Sequence, residues 1–361
     1  MALAFSSTVA PRFLPMRLPR VCLAVGGDTI GDTIEDMLAL AESMARDNPF
    51  LEFRLDYLKQ PLAALPKIHR FLETHQYVTA IGTCRRSDNG GKFKGSLASQ
   101  LEVLTKAHAA GCQLVDLEFQ SALKSKPEAI ARLRGRTGLI LSFHDFHATR
   151  KLDETLEKML KIPADFYKVG STATTLSDNV AMMKFLQAQS GQHALIGVCM
   201  GEQGIISRVL SVRAGSEFTF GSISADLKTA PGQISARDLR SIYRIEQVDA
   251  ATRVYGVAGD PIEHSLSPVI MNTALRRENV NGVYLPLHAK TLKDLLHCVR
   301  EIPLHGLSVT MPYKQAILPH LDNTDAHTAK VGACNTVVRG QEGKLYGCLL
   351  YTSGICSGLS D

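Results

Sequence analysis

The chain has 361 residues, 45% hydrophobic and 21% charged, which is enough to bury a sizeable core, too apolar for disorder, and long enough to suggest two domains. Its formal charge of +5 is mild and is not gathered into a basic stripe, so nucleic-acid binding has little support, whereas an anionic small substrate suits it. No apolar run reaches the roughly 18 residues of a membrane helix, and the cysteines are scattered without a C-x-x-C pair, as in reduced intracellular thiols rather than a disulfide frame or zinc site.

In chain order, residues 1–20 read as a disordered tail. They contain Arg12, Arg17 and Arg20, several Ser/Thr and no acid, a pattern weakly like a plastid transit peptide. A cytoplasmic location is the first expectation and a plastid the alternative. From Val21 to about Ala250, strand-like and helix-like segments alternate. The strands are expected at Val21–Val25, Leu51–Leu55, Val78–Thr83, Gln113–Glu118, Gly138–Ser142, Phe166–Val169, Ala194–Cys199 and Glu217–Gly221. Amphipathic helices are expected between them, among them Thr33–Arg46, Ser96–Ala110, Asp153–Lys161 and Leu176–Gln189. Eight such units match an α/β (β/α)8 TIM barrel, with an open doubly wound sheet as the alternative. Past Ala250 the texture changes to a smaller α/β unit. Val254–Pro261 runs into a turn, Ser265-Leu266-Ser267-Pro268 opens a helix, and Val283–Leu287, Thr291–Arg300 and Leu307–Thr310 follow.

A barrel collects its chemistry at the C-terminal ends of its strands. Glu52, Arg54, Arg85, Glu118, His144, Lys168, Arg208 and Gln233 all fall at or after such ends. Lys168 is the most informative of them. An amine on an apolar strand loses hydration, which disfavours its charged form. A neutral amine can attack a ketone to form an imine, and a nearby histidine can move the protons. The bland alternative is a lysine that extends its ammonium to solvent from a barrel rim. The pair His144-x-x-His147 lacks the third and fourth ligands of a metal centre, so no metal is expected.

The motifs Leu51-Glu52-Phe53-Arg54-Leu55-Asp56, Thr83-Cys84-Arg85, Ser142-Phe143-His144-Asp145, Lys168, Gly204-Ile205-Ile206-Ser207-Arg208 and Ala230-Pro231-Gly232-Gln233 together resemble type I 3-dehydroquinate dehydratase over residues 21–248. The resemblance implies an imine between Lys168 and the ketone of 3-dehydroquinate, with His144 as general acid and base and no cofactor. It implies that Glu52, Arg54, Arg85, Arg208, Thr229 and Gln233 hold the substrate. Thr229 stands where the family places serine, and Asn89 where several members carry a glutamate near the histidine, which opens the question of how His144 is oriented.

Residues 254–347 resemble the substrate-binding domain of shikimate dehydrogenase through Ser265-Leu266-Ser267-Pro268, Ser308-Val309-Thr310-Met311-Pro312-Tyr313-Lys314 and Gly332-Ala333-Cys334-Asn335-Thr336. By resemblance, Ser265, Ser267, Thr310 and Asn335 bind shikimate, Lys314 is the catalytic lysine, and NADP is the cofactor of a complete dehydrogenase. After Gly347 that family continues with Asn-Thr-Asp and a dinucleotide-binding domain. Here the sequence reads Cys348-Leu349-Leu350-Tyr351 and stops at Asp361, so residues 348–361 are expected to be an atypical tail and the dehydrogenase half truncated and inactive. Domain limits of 21–250 and 251–347 follow, with a homodimer as a possible assembly. Two other functions stay open: an idle binding protein that retains both pockets, and another lysine-imine barrel enzyme of the aldolase kind.

Overall fold

The computed structural model describes residues 18–27, 32–223, 232–262, 265–302, 304–340 and 342–350. Most of the expected N-terminal tail, Thr229, and the sequence beyond Leu350 lie outside the described residues.

Eight parallel strands form the first domain: β1 (Val21–Val25), β2 (Phe50–Arg54), β3 (Thr79–Thr83), β4 (Leu114–Glu118), β5 (Gly138–His144), β6 (Phe166–Thr172), β7 (Leu195–Met200) and β8 (Thr219–Gly221). They pair in chain order from β1 to β7, with β8 beside β1. The ring closes where Ser216, just before β8, bridges to Leu195 of β7. This is the (β/α)8 barrel, and the open sheet is excluded by that closure. The outer layer holds α1 (Ile34–Ala45), α2 (Pro61–Thr74), α3 (Leu97–Ala109), α4 (Phe119–Leu123), α5 (Pro127–Arg134), α6 (Leu152–Met159), α7 (Leu176–Gln189), α8 (Ile205–Leu210) and α9 (Ala236–Ser241). Thr33 caps α1 and Ser96 caps α3, each side chain accepting a hydrogen bond from a backbone N–H of the first turn.

Period-two alternation sorts each strand into an outward face packed on helices and an inward face. The inward residues Cys22, Phe50, Ile81, Leu114, Ile140, Phe166, Ile196, Phe218 and Phe220 make one buried apolar cluster with a contribution from all eight strands. This layer is the floor of the barrel. Two residues further along the same faces stand Glu52, Thr83, Asp116, Ser142 and Lys168, all buried. The polar layer therefore follows from strand phase alone, once the apolar floor is placed.

The second domain has a six-stranded mixed sheet built from β9 (Arg253–Gly259), β10 (Gly282–His288), β11 (Leu304–Val309), β12 (Asn323–Thr324), β13 (Thr336–Arg339) and β14 (Leu345–Cys348), in the order β10-β9-β11-β13-β14-β12. Its helices are α10 (Ser267–Arg277), α11 (Leu292–Glu301), α12 (Tyr313–Ala316) and α13 (Ala326–Val331). The strand β14 carries the sheet one residue past the expected limit at Gly347, through pairing of Cys348 with Thr336. Among the described residues no helix is long and apolar enough to cross a membrane.

Candidate active site

The amine of Lys168 sits inside the barrel mouth on β6, with only 5% of the residue exposed. Its Nζ donates to Asp116 Oδ2 at 3.1 Å, lies 4.0 Å from Glu52 Oε1, and stands 3.9 Å from the centroid of the Phe220 ring. It does not extend to solvent, which removes the bland alternative. Asp116 is the hub of the layer. Its other contacts are the Ser142 hydroxyl, which donates to Oδ1 at 2.5 Å, and Arg85, which donates to Oδ2 at 3.3 Å. Burial alone would raise the Asp116 carboxyl, but the cations of Lys168 and Arg85 outweigh it and hold it well below the usual carboxylate range. Glu52 accepts from the Thr83 hydroxyl at 2.7 Å, which fixes its second contact beside the amine.

Arg54 ends β2 and is gripped by Asp56 through two hydrogen bonds of 2.9 and 2.8 Å, a bidentate pair in a buried setting. Burial works against its charge, yet Asp56 more than offsets this and raises the guanidinium. Arg208, on α8 after β7, is almost wholly buried, and that burial pushes it down to about 10. Gln233 is buried after β8, just before Ser235, which bridges to Ser222 beyond the strand. The structure thus gathers Glu52, Arg54, Arg85, His144, Lys168, Arg208 and Gln233 at one end of the barrel. Glu118 plays a different part and anchors the loop after β3, accepting from the Arg86 backbone N–H at 2.6 Å and from the Gln100 amide.

His144 is the last residue of β5 rather than a residue beyond it. Register sets Ser142 beside Lys168 and His144 beside Gly170, so the imidazole stands one pleat above the amine. The ring lies against Gly170, where a Cβ would come within 2.8 Å of His144 Cδ2, and only glycine leaves that space. On its other flank Phe146 stacks at 5.9 Å with the planes 15° apart. Phe146 in turn rests on Gly90, a left-handed residue of the loop after β3 at φ 77°. Asn89 makes no side-chain hydrogen bond to the histidine; the stack from Gly90 through Phe146 orients it instead. Burial pushes the imidazole well below its ordinary value, and the neighbouring cations Arg85 and Lys168 push it further than Asp116 can offset. This environment favours the neutral form of the imidazole.

Sequence reading passed over Asp116, Thr83, Ser142 and Asp56. The signal for the first was present: Asp116 shares the face of Glu118 in an otherwise apolar strand, Leu114-Val115-Asp116-Leu117-Glu118.

In the second domain, the parallel strands β9 and β11 bring the Ser265–Ser267 turn and Thr310 to one sheet end. Asn335 is tied to this end because its carbonyl accepts from Val309, and Lys314 because its carbonyl accepts from Cys334. The Ser265 hydroxyl accepts from the Ser267 N–H at 3.3 Å. Both ends of the Asn335 amide are engaged by the backbone of Leu350, at 2.7 and 2.8 Å. Gly259, which ends β9, packs closely against the Thr310 side chain and the Met311 carbonyl, so that a Cβ there would meet them at 2.3 and 2.9 Å. Among the described residues no cluster of three or more potential metal ligands occurs.

A closed parallel barrel with a buried amine in a polar layer, followed by a small mixed-sheet domain, defines a two-domain α/β protein of the lysine-bearing barrel class. Residues 21–250 match the family described as Type I 3-dehydroquinase, and residues 257–337 match the shikimate dehydrogenase substrate binding domain. The chain belongs to the type I 3-dehydroquinase family. It is 31% identical over 349 residues to the chloroplastic bifunctional 3-dehydroquinate dehydratase/shikimate dehydrogenase of Arabidopsis thaliana, covering 94% of this chain and 56% of that protein. It is 33% identical over 236 residues to a 3-dehydroquinate dehydratase of Dehalococcoides mccartyi, covering 63% of this chain and 96% of that one. Among solved structures, the dehydroquinate dehydratase and shikimate dehydrogenase from S. pombe aligns with a TM-score of 0.52 at 25% identity, covering 91% of this chain and 64% of that one. The 3-dehydroquinate dehydratase from Geobacillus kaustophilus aligns at 0.56 and 24% identity over 64% of this chain and 91% of that one, a likeness of fold. The chain thus spans about half the length of the bifunctional plant relative.

Proposed function

We propose that the barrel dehydrates 3-dehydroquinate to 3-dehydroshikimate through an imine on Lys168, a step of the shikimate pathway. The observation that carries this reading is the Lys168 amine, buried 3.1 Å from Asp116 with neutral His144 one pleat above it. The Lys168 ammonium beside Asp116 gives a proton to His144, the freed amine attacks the ketone carbon, the carbinolamine oxygen takes that proton back and leaves as water, and the resulting iminium acidifies the adjacent C–H bond. Removal of that proton and departure of the β-hydroxyl, which takes up a proton as water, give the unsaturated iminium. Hydrolysis then returns the amine and releases the enone.

Two groups stand near enough to handle these protons, and their environments separate them. Asp116, held well below the carboxylate range, is a poor base and serves to place the amine. His144, one pleat above the amine, is the acceptor by its position and returns the proton to the leaving hydroxyl. Arg54 and Arg208 offer cations to the substrate carboxylate, and Gln233 offers hydrogen bonds to its hydroxyls; the resemblance gives Thr229, outside the described residues, the same part. For the second domain, Ser265, Ser267, Thr310, Lys314 and Asn335 form a shikimate-type surface.

Borohydride reduction in the presence of 3-dehydroquinate tests the reading. It should add the mass of the reduced substrate to the peptide bearing Lys168 and abolish turnover. Absence of the adduct, with substrate bound, would favour an idle binding protein, and an adduct formed only with aldol substrates would favour the aldolase kind.

A further inference from the structure

The second domain touches the barrel where the catalytic strand ends. Helix α11 packs along α7, which begins a short turn after β6, the strand of Lys168. The carboxylate of Asp294, in the first turn of α11, accepts from the backbone N–H of Leu176 at 2.7 Å, from that of Ser177 at 2.9 Å, and from the Ser177 hydroxyl. On the barrel side Asp178 accepts from the N–H groups of Thr174 and Thr175 at 2.8 and 2.9 Å. The open N–H donors of one helix start are thus divided between two carboxylates, one from each domain. The far end of the helix pair is closed by Lys184 and Glu301 at 2.5 Å.

The turn so held lies in the catalytic mouth. Thr172 donates its hydroxyl to the carbonyl of Asp145, next to His144, and the Ala173 N–H donates to Met200 at the end of β7. Holding Leu176 and Ser177 therefore holds the rim that joins three strand ends of the site.

We infer that the second domain braces the dehydratase, and that Asp294 is a positioning residue acting on Lys168 and His144 through the β6–α7 turn. The kinetic part of this inference rests on the dehydratase reading; the structural part does not. The test uses the full chain and two variants. Asp294→Ala removes the brace at the turn, whereas Lys184→Ala cuts the same helix pair at its distant end. Amide exchange in residues 173–180 should quicken about tenfold in Asp294→Ala, the scale of losing one N-terminal cap, and stay near the parent rate in Lys184→Ala. Turnover should fall roughly 3–10-fold in Asp294→Ala, as expected of a small displacement of reacting groups, with KM nearly unchanged, while Lys184→Ala keeps parental turnover. Unchanged exchange in Asp294→Ala would show that the carboxylate does not hold the turn. Quickened exchange with parental turnover would show adhesion between domains without positioning. If the parent itself lacked dehydratase turnover, the exchange measurement would still decide the brace.

Discussion

Replacing Asp116 by Asn changes one charge at nearly constant shape in the most connected part of the site. The carboxylate is 2% exposed and receives Lys168, Arg85 and Ser142. Asparagine keeps one acceptor oxygen but turns an NH2 group toward two cations. Breaking a buried ion pair by removing one partner costs about 3–5 kcal/mol. Lys168 retains Glu52 at 4.0 Å, so the lower part of that range applies. A loss of about 3 kcal/mol lowers the melting temperature of a domain of this size by roughly 6–12 °C. The sign with pH follows from the depressed folded-state value. Stability from such a carboxylate is fully present above its unfolded value of about 3.9 and is lost as pH falls through the folded one. Urea unfolding of parent and variant should therefore differ most at neutral pH and converge in strong acid. A variant as stable as the parent at pH 7, or an equal gap at every pH, would refute the assignment of Asp116 as the charged hub.

Further outcomes follow from the same geometry. Lys168→Ala should abolish dehydration while ligand binding, measured calorimetrically, persists. His144→Ala should lower turnover by about 10²–10⁴-fold; a loss of only a few-fold would place the proton shuttle elsewhere. Because burial and nearby cations depress His144, turnover in the parent should hold as pH falls through the ordinary histidine range near 6.5 and decline only below it; a decline centred on 6.5 would contradict that environment. Gly170→Ala should displace the imidazole, since the added Cβ would lie 2.8 Å from it, and the variant should keep its imine adduct but lose turnover. Shikimate should drive no NADP reduction, followed by NADPH absorbance, because both ends of the Asn335 amide are engaged by the Leu350 backbone.

The barrel was legible because each strand is a short run of β-formers with a polar residue at its C-terminal end, and because α7 has clear boundaries at Leu176 and Gln189. The placement of Lys168 and His144 at the barrel mouth was legible for the same reason. Asp116 was not, since its importance comes from the register that sets four strands side by side, and register is a property of the closed ring. The orientation of His144 was open in sequence because its support, Phe146 on Gly90, joins loops after different strands. Asp294 was hidden more thoroughly: an acid in the first turn of a helix reads as serving its own helix, and here it serves another.

The apolar floor of Cys22, Phe50, Phe166, Phe218 and their neighbours has a consequence for traffic. It seals the barrel on one side, so the polar chamber around Lys168 is a cul-de-sac. Under the proposed chemistry, and among the described residues, the water expelled when the imine forms, the water lost from the substrate and the water that hydrolyses the product iminium pass on the side away from this floor, through the mouth that the substrate occupies. Entry of the hydrolytic water therefore has to wait for some part of the bound product to withdraw. The same seal denies bulk solvent a second approach to the amine, so an iminium in place is shielded from early hydrolysis by the body of the substrate that formed it.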